Sequence, residues 1–227
     1  FKGVRAFFDR RDYLEVDTPS LSPDLIPGSC LEVFATEYRA PLGSRRPVRE
    51  LYLIPSPEVW MKKLLARHRQ SIYQICHAFR NGESTGRRHS PEFTMLEYYS
   101  IDADWMDSLE ITQELFYELR GPHAPANTRP PFRRMSVEEA FEEFAGFPLY
   151  KTAQEGPEAF AARARERGIE TASPRMSLAD LYNLVFVDRV EPALPQDRPL
   201  ALCSYPAFVP CLARRSPGEG ESFERWE

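Results

Sequence analysis

The chain has 227 residues, 42% of them hydrophobic, with 29 Lys and Arg against 34 Asp and Glu for a formal charge of -5. That suits one substantial domain with its own core and argues against a surface that is a basic field for nucleic acid throughout. The uncharged stretch near the C-terminus that includes Pro199 to Leu212 is broken by prolines and too short for a bilayer, and no secretory signal is read, so a cytoplasmic protein is expected. The four cysteines, Cys30, Cys76, Cys203 and Cys211, form no C-x-x-C pair and read as packed thiols rather than a zinc site or disulfide framework.

In chain order, the first element is V-R-A-F-F-D-R-R-D-Y-L-E-V-D-T-P, where Val4, Phe7, Phe8 and Leu14 make one apolar face and Thr18 precedes Pro19. A residue before proline avoids helical backbone, so the run predicts a helix and then an extended strand ending at Thr18-Pro19. An ordinary amphipathic helix meets the same description. In Ser56-Pro57-Glu58-Val59-Trp60-Met61-Lys62-Lys63, serine reads as an N-cap, proline as the first helical residue and Glu58 as a first-turn acid on the helix dipole.

Two ladder-forming runs follow, Ile72 to Phe79 and Phe93 to Tyr99, around a loop that concentrates Arg80, Glu83, Arg87, Arg88 and His89. A guanidinium fork suits phosphate oxygens, and a strand end holds Arg80 more firmly than a loop tip would. Phe93 offers a face for a nucleobase; its other reading is a core side chain beneath a solvated hairpin tip. Strand alternation puts Met95, Glu97 and Tyr99 on one face and Leu96 and Tyr98 on the other.

Beyond the hairpin, Met106 to Leu119 predicts a helix and G-P-H-A-P-A-N-T-R-P-P, from Gly121 to Pro131, a loop. Ser136-Val137-Glu138-Glu139 reads as a capping box opening a helix from Val137 to Phe144. Pro157 to Arg167 and Leu178 to Val187 predict two more helices, the first carrying Arg163, Arg165 and Arg167 as a solvated surface. Pro199 to Pro206 reads as a buried strand, after which Arg214 and Arg215 are either an exposed loop pair or a face for an acidic partner.

The run F-R-N-x-E, a short basic loop and H-x-P-E-F-T-M-L-E-Y-Y resembles the second signature motif of class II aminoacyl-tRNA synthetases in the lysine, aspartate and asparagine subgroup. Within it, HSPEFTMLEYY and IPSPEVWMKKLLA are most similar to the elongation factor P lysyltransferases, which attach a lysine-type amino acid to that factor. The resemblance implies an α+β fold, an antiparallel β-sheet flanked by helices, with the opening helix and strand up to Pro19 forming a homodimer interface. It further implies ATP and Mg2+ as co-substrate and cofactor, lysine or β-lysine as the activated amino acid, and elongation factor P as acceptor.

Carried over residue by residue, the resemblance makes Arg80 the contact to the α-phosphate and substrate carboxylate, and Glu58 the ligand of the substrate ammonium. His89 lies near the terminal phosphates, Phe93 stacks on adenine, Glu97 is a nucleotide-side and metal-side acid, and Tyr99 lines the amino-acid pocket. Gly82 stands where the family has glutamate after F-R-N and the loop is one residue longer, so the adenine-amino contact passes to Glu83.

The family's third motif, a glycine-rich strand and helix ending in an E-R pair, is not found; Ser222 to Glu227 resembles the segment that precedes the amino-acid-binding strand. The expectation is therefore a class II catalytic domain over 1–227 lacking that motif, with 120–198 a helical insertion, and no adenylate formation if nothing follows Glu227. An opening directly on the first motif, without an anticodon-binding barrel, weighs against tRNA as acceptor. Two rivals stand beside this reading, a lysyl-tRNA synthetase catalytic domain and a non-catalytic synthetase-like regulator.

Overall fold

The computed structural model describes residues 1–24, 31–41, 48–82, 86, 89–217 and 221–227. The chain divides into two compact units, Phe1–Ala103 and Asp104–Glu227.

In the first unit, α1 (Lys2–Asp9) buries Phe7 and Phe8 completely. Phe8 stacks on Tyr73 at 4.8 Å between ring centroids and meets Tyr13 and Tyr98 at 5.1 and 5.2 Å, so the helix is fastened by aromatic packing. Asp12, with φ at 56°, breaks the helix, and the chain then enters β1 (Leu14–Glu15), parallel to β5 (Ile72–Phe79). Leu14 consequently leaves the helical face assigned to it from its spacing: it pairs with Ile72 and is 47% exposed. β5 lies between β1 and β6 (Glu92–Tyr99), to which it is antiparallel over its whole length. The hairpin runs were therefore read almost to the residue. A second sheet, β2 (Leu21–Ser22), β4 (Arg49–Leu53) and β3 (Ala35–Tyr38), is antiparallel and was not anticipated. Between β4 and β5 runs α2 (Glu58–His68), packed against β6.

The second unit opens with α3 (Trp105–Leu119), capped by Asp104 and Asp107 in a reciprocal box. β7 (Arg133–Ser136) pairs parallel with β8 (Leu200–Pro206), which pairs antiparallel with β9 (Ser222–Trp226). Among the described residues, two of the three sheets are thus mixed rather than purely antiparallel. The Ser136–Glu139 capping box forms as expected, but α4 (Val137–Ala140) gives way to a π-helical turn over Phe141–Ala145. Then come α5 (Leu149–Gln154), α6 (Pro157–Glu166) and α7 (Leu178–Val185), the last followed by a second π-turn at Phe186–Val190. Phe141, Leu149, Phe160, Leu181 and Val185 are fully buried in this unit's core, while Arg163, Arg165 and Arg167 are exposed as their spacing implied.

Phe8→Ala is expected to destabilise the protein by about 3–5 kcal/mol, read as a lower urea midpoint; Phe1→Ala, at a side chain 72% exposed, should leave the midpoint in place.

Candidate active site

β5 and β6 form the floor. Their register sets Gln74 opposite Glu97, Cys76 opposite Met95 and Ala78 opposite Phe93, and cross-strand partners share a face. Phe93, Met95, Glu97 and Tyr99 therefore line one side, as alternation predicted, while Tyr73 and Tyr98 project to the other and pack under Phe8.

At one end of this floor the start of α2 meets Glu97. Ser56 Oγ accepts the Glu58 amide at 3.1 Å, as a cap does, and donates its proton to Glu97 Oε1. The helix itself begins at Glu58, one residue later than the sequence suggested, with Pro57 in the flanking position. Tyr99 Oη donates to Glu97 Oε2 at 3.0 Å. Glu58 is paired through Oε1 with Lys62 Nζ, one turn on, at 2.5 Å. Burial holds the Glu97 carboxyl above the usual glutamate range and the charge of Glu58 adds to this, whereas the Ser56 and Tyr99 hydroxyls and the Lys62 ammonium pull it back. The Tyr99 phenol is raised by burial first, then by Glu97 and Glu58. Two carboxylates face one ammonium, and in a half-dry setting that imbalance favours an added cation.

At the other end Arg80 follows β5, its amide bonded to the Pro91 carbonyl at 3.0 Å. Its guanidinium carbon sits 5.2 Å from the centroid of the Phe93 ring, and both residues are half-buried. At the strand rise, Phe93 and Glu97 are about 13 Å apart along β6. One face thus carries an aromatic and cationic end and an acidic end. His89 is exposed in the loop, its carbonyl accepting the Gly86 amide at 3.0 Å. Glu83, Arg87 and Arg88 lie outside the described residues.

The departure at Gly82 has a backbone cause. Its φ is +72°, and a Cβ there would come within 2.8 Å of Glu32 Oε2, while Asn81 beside it donates to the Glu32 carbonyl at 2.9 Å. A glutamate at this position would be strained in both conformation and charge.

Sequence reasoning gave Ser56 only a capping role and gave none to Lys62, Gln74 or Cys76. Ser56 and Lys62 bracket Glu58 at spacings that put all three at one helix end, which is the signal that was available. Gln74, 1% exposed, accepts Thr18 Oγ1 at 3.0 Å through Oε1, while its Nε2 has no hydrogen-bond partner among the described residues. The Cys76 thiol is pushed up to about 11, chiefly by burial and then by Glu97 and Asp17. Among the described residues, no group of three or more His, Cys, Asp or Glu side chains is arranged to hold a metal ion, and no helix is long and apolar enough to cross a membrane.

The family model described as tRNA synthetases class II (D, K and N) matches residues 1–216. The chain belongs to this family. As a class II synthetase domain with α and β elements in small sheets, it has the α+β character its sequence implied. It is 36% identical to an elongation factor P--(R)-beta-lysine ligase of Actinobacillus succinogenes, over 99% of this chain and 65% of the relative. The corresponding ligase of Photobacterium profundum is 35% identical over 99% of this chain and 66% of its own length. A lysine--tRNA ligase of Clostridium tetani is 31% identical over 100% of this chain and 45% of its own. The chain thus spans just under two-thirds of the elongation factor P ligases it matches, and the similarity to them noted in HSPEFTMLEYY is borne out.

Because the Glu97 carboxyl is raised in the folded protein, its ionisation opposes folding: the cost is absent below the unfolded glutamate range and grows as pH rises through it. Glu97→Gln is therefore expected to melt higher than wild type at pH 7, with the gap closing toward pH 4, as followed by thermal melts across that range.

Proposed function

We propose that this chain forms the activating site of an ATP-dependent ligase that converts a lysine-type amino acid to its adenylate and passes the acyl group to a lysine side chain of elongation factor P. The observation that carries this reading is the single face on which Arg80 and Phe93 lie at one end and Glu58, Ser56, Glu97 and Tyr99 at the other. Such a face suits a substrate with a base and phosphates at one end and an ammonium at the other. The names of the relatives support the substrate and acceptor classes.

In this proposal Phe93 stacks on adenine, Glu83 meets its amino group, and His89 approaches the terminal phosphates. Glu58 takes the amino acid's ammonium, and Tyr99 closes the pocket beside it. Arg80 binds the substrate carboxylate and α-phosphate together, so the attacking oxygen and the phosphorus are held in reach. The carboxylate oxygen bonds to the α-phosphorus as the bond to pyrophosphate breaks, and Arg80 answers the charge that develops on the phosphoryl oxygens. The acceptor amine then bonds to the acyl carbon, AMP leaves, and the amine's proton passes to solvent. Keeping the adenylate away from water is the physical reason for closing such a site during the reaction.

An ion escorted by phosphates needs only one or two protein carboxylates, and the charge imbalance at Glu97 suits that number. Magnesium, when bound, neutralises phosphate charge, and Glu97 is the residue that would hold it. We further assign the chain as one class II catalytic domain over 1–227, its largely antiparallel strands flanked by helices, with 120–198 as an insertion. The exposed Leu14 on β1 and the exposed Phe1 at the start of α1 fit a homodimer contact, and a translation-factor acceptor fits a cytoplasmic site of action.

In the full-length protein with ATP, magnesium and either lysine isomer, a lysyl-sized mass increment is expected on elongation factor P and not on tRNA. An increment on tRNA alone would make the protein a lysyl-tRNA synthetase, which the lysine--tRNA ligase relatives keep in view; none on either would favour a non-catalytic regulator. Arg80→Ala is expected to cut amino-acid-dependent pyrophosphate exchange by about a thousandfold while the melting temperature stays near wild type; a collapse of folding would instead give Arg80 a structural role.

A further inference from the structure

We infer that Lys62 is a built-in competitor for the ammonium subsite: its ε-ammonium occupies on Glu58 the contact that a substrate ammonium makes on binding, and so sets the affinity for the amino acid. The inference rests on the reading of Glu58 as the ammonium ligand.

Three observations carry it. The Lys62 Nζ to Glu58 Oε1 separation is 2.5 Å, a close charge-assisted contact made by the same chemical group, a primary ammonium, that the site is proposed to receive. The Lys62 charge also acts on Glu97, pulling its carboxyl down, so one ammonium answers electrostatically to both carboxylates. Lys62 is 41% exposed and Glu58 26%, so the lysine has a route into water while the glutamate stays in the site. Its neighbour Lys63 shows the alternative: one residue on, its ammonium lies 4.9 Å from the Trp60 ring centroid.

An ion pair one helical turn apart is weak enough to yield, yet it gives the Glu58 carboxylate a partner while the site is empty. An incoming amine then gains little, since one ammonium merely replaces another on Glu58. A ligand that also brings a carboxylate adds a contact that Lys62 does not offset, and this selects amino acids over plain amines. With ligand bound and Lys62 released to solvent, the subsite keeps its two carboxylates against one ammonium.

The test is calorimetric titration of the full-length protein with L-lysine, (R)-β-lysine and the plain diamine cadaverine. Lys62→Met retains the methylene stem and helix preference but removes the charge. It is expected to lower the Kd for both lysines and for cadaverine by the same factor, roughly fivefold, leaving the discrimination that the carboxylate provides unchanged, whereas Lys62→Arg and Lys63→Met bind as wild type does. Adding Glu58→Gln should erase the gain, a non-additive pair. Unchanged or weaker lysine binding by a folded Lys62→Met protein would overturn the inference and make Lys62 a residue that orients Glu58. Glu58→Gln binding lysine as tightly as wild type would overturn the reading of Glu58 itself, and with it this role for Lys62.

Discussion

A carboxylate can be kept half out of water only if hydrogen bonds and charges answer for it, and that requirement at Glu97 organises the first unit. Its two oxygens are met by hydroxyls from different elements, Ser56 ahead of α2 and Tyr99 on β6 itself. Because the Ser56 hydroxyl spends its proton on Glu97, it has only lone pairs left for the Glu58 amide, and the helix must begin where that amide reaches it. The start of α2 is thereby registered against β6 by directional bonds as well as by apolar packing. What those bonds leave over, an excess of negative charge on a half-buried strand, is a local cost of the kind that active sites carry and cores avoid.

The parts of this arrangement governed by local periodicity were legible in the sequence. β5 and β6 announce themselves by composition, and alternation alone puts Glu97 and Tyr99 side by side, as their hydrogen bond bears out. Contacts between distant segments were not legible. Nothing near Ser56 says that its hydroxyl will find a residue forty-one positions later. Leu14 was misplaced because a helical pattern ran on through Asp12, where a left-handed residue ends it. β7 was missed for a related reason: R-R-M-S is a poor strand by propensity and becomes one by lying parallel to β8, a partner more than sixty residues away.

The second unit is held by different means. Phe141 stacks on Tyr182 at 5.3 Å, and Tyr182 stacks in turn on Phe186 at 5.6 Å, so the two π-turns meet through one buried phenol. Each π-turn inserts extra backbone into a helix, re-aiming the residues that follow it. Here Phe141 and Phe186 begin those turns, and the same rings build the stack. The helical spacings in the sequence foretold that helices would occur and, within a few residues, where; they did not foretell the change of pitch, which answers to packing between helices.

Gly82 connects the floor to the loop at a point where the backbone is already committed. Asn81 is clamped to Glu32 and Gly82 turns in a conformation that other residues resist. Strand pairing resumes only at Glu92, opposite Phe79. An added residue between these limits changes how far the loop reaches but cannot slide β5 along β6, since a slip of one would turn every side chain on the floor to the wrong face. The hairpin therefore separates two kinds of constraint: a strand ladder whose register an insertion would overturn, and a connection whose length does not set that register, so the chemistry on the floor is held independently of it.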